Sequence, residues 1–267
     1  MILSVNPFSI LAETVSPIFM QSFVIVMGIL VFAGTLLDII HKKNVKYFFE
    51  NAKKAKLSAT KNLSTGKKIS VISKTIVSDI VTTSELGAGK RRAAHLLGMY
   101  GTILFWFGSV IMIFCYATPS SDTPSIWPMI WHLGGVMTVL GGSWFWFFLR
   151  ADVYSEAHPW YRIIKADLFV LALIASSLFG LIWSYLQSLN LSDRWDDKVF
   201  LVLYIISNLV LFGGVYWSKF AHMFYKPGAA IQKNLAEADG SRDNLPPPAD
   251  APKQYGLGID REKAKHY

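Results

Sequence analysis

The residues in this chain whose chemistry is hardest to assign to packing are its six histidines, four of which, His41, His95, His158 and His222, fall at matching ends of long apolar runs. An imidazole can ligate a metal, move a proton, or rest half-wet at a lipid–water boundary. His95 opens one apolar run, and His222 closes another in the stretch SKFAHMFYKP, residues 218–227. Two antiparallel helices that each present an imidazole at the same depth meet the requirement of a flat macrocycle whose iron takes two axial nitrogens. The same placement suits two interfacial histidines, and depth alone leaves both readings open. His41 and His158 lie on loop-like flanks where water satisfies a ring, and His266 is in the tail. His132 follows Trp127, Pro128 and Trp131 and reads as an outer-interface residue, with contact to a quinone headgroup as the sharper reading.

The elements that must position these rings are apolar helices. The chain is 52% hydrophobic and only 16% charged, against roughly a quarter charged in soluble proteins. Its apolar residues lie in runs near the ~20 residues that a bilayer-spanning helix needs. Backbone groups in hydrocarbon must be satisfied within the segment, so such runs are helices. The fold class expected is all-α integral membrane protein, with spans at 18–40, 95–117, 129–149, 167–187 and 199–222. No basic segment precedes the first run and no small-residue cleavage pattern closes it, so 1–40 does not read as a removable signal peptide.

Lys and Arg near span ends stay cytoplasmic. Loop 41–94 carries thirteen of them, the loop after the third span three, and the C-terminal end eight from Lys219 onward; the opposite side has only Arg194 and Lys198. An odd number of spans is expected, with residues 1–17 outside and 223–267 a cytoplasmic tail. The net charge of +8 is therefore mainly a topology signal and does not point to nucleic acid. Within loop 41–94, Ile69, Ile72, Ile76 and Ile80 repeat at helical spacing. That face suits either the membrane surface or a partner. The tail from about 234, with LPPPADAP at 245–252, is polar and carries no core.

Other signals are structural first. Gly134, Thr138 and Gly142 put a small residue at every fourth position, which permits close helix approach. Asp38 and Asp167 sit near span ends, where each can pair with a cation. Met112 and Cys115 read first as packing residues, with unusual metal ligation near the outer end as the sharper alternative. One cysteine excludes a cysteine-ligated iron–sulfur cluster, a four-thiolate zinc site and an intrachain disulfide. There is no nucleotide loop, no Ser/His/Asp arrangement and no HExxH, so group-transfer chemistry is not expected of this chain.

SKFAHMFYKP resembles the end of the last helix in the nitrate reductase gamma subunit family of cytochromes b, a group that includes membrane subunits of heterodisulfide reductases and of the quinone-interacting membrane-bound oxidoreductase. RRAAHLLGMYGTILFWFGSV, 91–110, resembles the family segment whose opening histidine is the partner ligand, and KADLFVLALIASSLFGLIW, 165–183, resembles its aspartate followed by an apolar run. The resemblance implies a b-type haem with His95 and His222 as axial ligands, and Lys219 and Lys226 either beside its propionates or snorkelling at the interface. Members with two haems carry a second histidine deeper in both helices; here those regions read TILFWFGSVIMI and LVLYIISN, so one haem is implied. The tail from 240 to 267 is similar to membrane subunits associated with dissimilatory adenylylsulfate (APS) reductase.

The function implied by the resemblance is that of an electron-transfer subunit in a prokaryotic cytoplasmic membrane. It would link quinone to cytoplasmic iron–sulfur or flavoprotein reductase subunits, of which APS reductase is the foremost. A haem-free anchor that recruits a soluble reductase is the alternative from another class. A transporter is disfavoured by the scarcity of ionisable groups inside the spans.

Overall fold

A computed structural model describes residues 2–86, 89–118, 122–150, 159–189, 194–218 and 222–242. Every regular element among them is helical. The chain divides into two compact units, one built from residues 1–40 and 90–221, the other from 41–89 and 222–267.

The first unit holds α1 (Pro7–Leu11), α2 (Pro17–Lys42), α5 (Lys90–Cys115), α6 (Ile126–Trp144), α7 (Leu168–Ser188) and α8 (Trp195–Gly213). Four of its segments, Pro17–His41, Lys90–Cys115, Ile126–Leu149 and Lys165–Ser188, are long and apolar enough to cross a membrane. Their side chains are sorted the way lipid requires. Ile29, Phe32, Ile103, Phe107, Leu133 and Leu140 are exposed, while Thr102, Thr138, Ser176, Ser177, Ser184 and Asn208 are buried. Hydrocarbon solvates the first set and forces the second inward to find partners.

Glycine decides how closely α5 and α6 approach. A Cβ on Gly134 would stand 2.5 Å from Phe105 N, one on Gly141 2.5 Å from Gly98 N, and one on Gly101 2.6 Å from Thr138 N. The small-residue stripe is thus shared between two neighbours: Gly134, Thr138 and Gly141 face α5, whereas Gly135 and Gly142 face Leu181 and Ile174 of α7. On the far side of α7, Ser176 donates to Asn208 Oδ1 (3.1 Å) and Gly180 lies against Tyr204, which seats α8. α2 completes the unit through Gln21, whose Nε2 donates to Ile113 O (3.3 Å), and through Gly34 against Val215.

The run expected as one helix over 199–222 is interrupted. α8 ends at Gly213, residues 214–217 form turns, and 219–221 lie outside the described residues. Its first turn carries Asp196, Asp197 and Lys198. The remaining apolar stretch, 199–213, is about 22 Å long at 1.5 Å per residue.

The second unit comprises α3 (Asn44–Leu57), α4 (Thr65–Thr75), a π-helical segment Ile76–Val81 and α9 (His222–Ala238). Ser64 caps α4 by accepting from Lys67 N. The change of pitch at Ile76 splits the expected isoleucine face: Ile69 and Ile76 are exposed, Ile72 and Ile80 half-buried. The residue turned fully inward is Thr75. Asn234 of α9 donates to Thr75 Oγ1 (2.9 Å) and Asp79 Oδ2 (2.7 Å), and the carbonyl of Asp239 accepts from the amides of Thr60 and Lys61 (3.0 Å each). Part of the expected coreless tail is therefore a helix that holds this unit together.

Candidate functional site

The described histidine most embedded in protein is His132. The helical period of α6 turns Trp131 and His132 into the first unit, where they are 0% and 4% exposed. His132 Nδ1 lies 2.7 Å from the carbonyl of Pro128, which can only accept, so Nδ1 carries the hydrogen. Nε2, 2.9 Å from Ser184 Oγ, then accepts the hydroxyl hydrogen. In the neutral ring these two partners select a single tautomer. The ring is enclosed by protein, because Ser184 on α7 offers a polar partner that spacing along α6 alone cannot reveal.

Around that pair the bundle is filled by aromatic rings. Phe105 stacks on Trp131 (centroids 4.8 Å) and Trp183 on Tyr204 (5.9 Å), while Phe8 meets Trp131 and Trp183 at 6.0 and 5.6 Å. Each of these two indole N–H groups has an acceptor: Trp131 Nε1 donates to Ser109 Oγ (2.8 Å), and Trp183 Nε1 to the Gln187 amide oxygen (3.2 Å). Gln187 in turn donates to Pro7 O (2.9 Å). The N-terminal segment is fastened there by Asn6, which donates to Tyr116 O and Thr123 Oγ1 at 3.0 Å and caps α1. Met112, 0% exposed, packs in the same cluster. Phe105, Trp106 and Tyr204 stand in this cluster as packed rings.

At the other end of α6 a short π-helical segment, Phe145–Leu149, leads into Arg150. Arg150 forms a buried ion pair with Asp167 at the start of α7, and its guanidinium lies 4.3 Å over the Trp146 ring. Asp167 Oδ2 also accepts from Ile164 N (2.9 Å). The pairing expected of Asp167 is realised, and the arrangement clamps the end of α6 to the start of α7. Its partner, Arg150, reads in the sequence only as a topology charge.

The residues expected to hold a haem distribute as follows. His95 lies on the second turn of α5 in the first unit; its ring is exposed, while the adjacent Ala94 packs into the α6 seam. His222 is the first residue of α9 in the second unit, and its side chain is outside what the structure describes. Lys226 is exposed on α9, and Lys219 lies outside the described residues, as do His158 and His266. His41 is exposed at the end of α2.

Three described carboxylates outside the apolar segments have shifted acidity, and hydrogen bonds from Arg194 hold Asp196 below its usual range. Burial and the neighbouring Asp196 push Asp197 up to about 6, with Lys198 opposing. Burial acts to raise Asp79, but hydrogen bonds from Ser84, Ser78 and Asn234 and the charge of Lys233 outweigh it and hold the group below its usual range.

The apolar exterior, polar interior and four membrane-length helices define a multi-pass helical membrane protein. No family model, curated protein or solved structure matches the chain.

Proposed function

We propose that this chain is the membrane subunit of a quinone-linked oxidoreductase complex in a prokaryotic cytoplasmic membrane. Its cytoplasmic unit docks a soluble iron–sulfur or flavoprotein reductase, of the APS reductase type that is associated with the membrane subunits the tail resembles. The observation that carries the reading is the second unit itself. Two segments far apart in sequence, 41–89 and 222–242, join into a compact body through Asn234, Thr75, Asp79 and Asp239. Its α4 presents Lys67, Lys68 and Lys74 to solvent. A membrane protein that needed only to connect helices has no use for such a body, whereas a basic folded face steers an acidic partner to the bilayer. In this reading the N-terminus is outside, and α8 crosses as a fifth span, its 199–213 stretch matched by local thinning of the bilayer. Affinity purification from native membranes recovers a flavin- or iron–sulfur-containing protein with the chain, and reversing Lys67, Lys68 and Lys74 to Glu weakens that recovery. Unchanged recovery contradicts docking at this face.

A second reading makes the chain a b-type cytochrome with His95 and His222 as axial ligands and Lys219 and Lys226 at the propionates. It is favoured by the His95 ring standing clear of the α5–α6 seam. When bound, the haem supplies a one-electron carrier between quinone and the soluble partner. A reduced-minus-oxidised spectrum with about one haem per chain, abolished in His95→Ala and in His222→Ala, supports it. Absence of a b-type band in folded protein supplied with haem leaves the docking subunit alone.

A further inference from the structure

We infer that α3 is an anionic-lipid-binding helix, whose face carrying Lys46, Phe49, Lys53 and Lys56 lies against the headgroups of the membrane that α2 enters. The spacing i−3, i, i+4, i+7 about Phe49 puts these four on one side of the helix. That side is not the one α3 uses to pack. Val45, Phe48, Ala52 and Ala55 share the adjoining side, roughly a quarter-turn round the helix at 3.6 residues per turn, and are half-buried. Phe49 is left 64% exposed and Leu57 83%. A soluble surface rarely interleaves bare aromatic and aliphatic side chains with lysines. The boundary of an anionic bilayer accepts both, since the ring enters the acyl edge while the ammonium groups meet phosphate.

Two observations on the chain select lipid over a protein as the occupant. The first is covalent continuity: α2, a membrane-length apolar helix, ends at Lys42, and α3 begins at Asn44. The first turn of α3 is therefore within a few residues of the bilayer surface whatever else the chain does. The second is the conformation of Lys43 between them, which has φ +52°. A non-glycine residue in the left-handed region interrupts the helical hydrogen-bond ladder, so α3 is a separate helix and not the wet overhang of α2. The charge on the face is nearly uniform. Glu50 is its one carboxylate, 3.8 Å from Lys46 Nζ, and three lysines stand against it.

The test uses the full-length chain in nanodiscs, with a nitroxide at position 49 (Phe49→Cys in a Cys115→Ser background) and a control label at Asn51→Cys, on another exposed part of α3. Accessibility to lipid-soluble oxygen and to a water-soluble nickel chelate is compared in phosphatidylcholine discs and in discs containing phosphatidylglycerol. With anionic lipid present, the label at 49 becomes oxygen-accessible and chelate-protected while the label at 51 stays aqueous. Each lysine at such a surface is worth about fivefold in association, so Lys46→Gln, Lys53→Gln and Lys56→Gln together lower the docked-to-undocked ratio by about 100-fold. Equal aqueous exposure of positions 49 and 51 in anionic discs overturns the inference. Protection of position 49 from both reagents in either lipid also overturns it, since that signature belongs to a protein contact. The variants alter exposed side chains only, so loss of folding does not mimic either result.

Discussion

Adding one methyl group at Gly134 tests how the first unit is built. A Cβ there would lie 2.5 Å from Phe105 N, 2.7 Å from Gly101 O and 2.9 Å from Leu104 C, all backbone atoms that no rotamer change can move. Ordinary contact begins near 3.4 Å, so α5 and α6 must separate by about 1 Å in a densely packed interior. Overpacking of this kind costs about 1–3 kcal/mol. The same separation stretches the 2.8 Å bond from Trp131 to Ser109, adding roughly 1 kcal/mol at intramembrane values. Gly134→Ala therefore lowers stability by about 2–4 kcal/mol, read as a shift of the sodium dodecyl sulfate fraction at which reversible unfolding in mixed micelles reaches its midpoint. Gly28→Ala is the control: nothing lies within 4 Å of its Cβ, and alanine in a helix is at worst neutral. If both variants unfold at the same detergent fraction, glycine does not set the α5–α6 seam.

The buried pair gives a second test: Asp167→Ala strands the Arg150 guanidinium inside the protein and costs about 3–5 kcal/mol, and adding Arg150→Met recovers most of it in the same unfolding assay. Asp197 gives a pH test. Its folded acidity near 6 exceeds the unfolded 3.8, so the fold favours the protonated form. The resulting penalty is absent below about pH 3.8, grows through 6 and is complete above it. Asp197→Asn thus stabilises by on the order of 1–3 kcal/mol at pH 8 and by nothing at pH 3.5, as titrated chemical unfolding will show. In the second unit, Asn234→Ala removes two donor bonds, one to a carboxylate, worth about 1.5–3 kcal/mol. Trypsin then cuts after Lys67, Lys68 and Lys74 about tenfold faster or more, and an unchanged rate contradicts the assigned role of α9.

Much of the bundle was legible because lipid imposes a one-dimensional rule: long apolar runs become helices, and four of the expected spans coincide with membrane-length helices. The close approach of α5 and α6 was legible for a related reason, since Gly134 and Thr138 leave room whatever faces them. What faces them was not, and the stripe turned out to serve α7 through Gly142 as well as α5. His132 shows the same limit. Its neighbours along α6 are interfacial in type, but its environment is set by Ser184, which lies 52 residues away in sequence. The end of α8 escaped because hydropathy continues past Gly213 while the helix does not. The helix α9 escaped because its stabilising partners, Thr75 and Asp79, are far away in sequence, between α2 and α5. Lysine counts in loop 41–94 set an expectation of orientation, but could not show that the loop folds with the C-terminal segment.

A functional partnership between this chain and a soluble reductase at a quinone-containing membrane can be tested on the detergent-solubilised assembly, isolated through a tag on this chain. Electron exchange between its reductase and a short-chain quinone is followed by absorbance. The assembly is expected to exchange electrons with quinone while the reductase isolated without this chain does not, and the full chain added back in nanodiscs restores the reaction. A reductase that reacts equally well with quinone in the absence of the chain, or a chain that purifies without a redox partner from native membranes, contradicts the partnership.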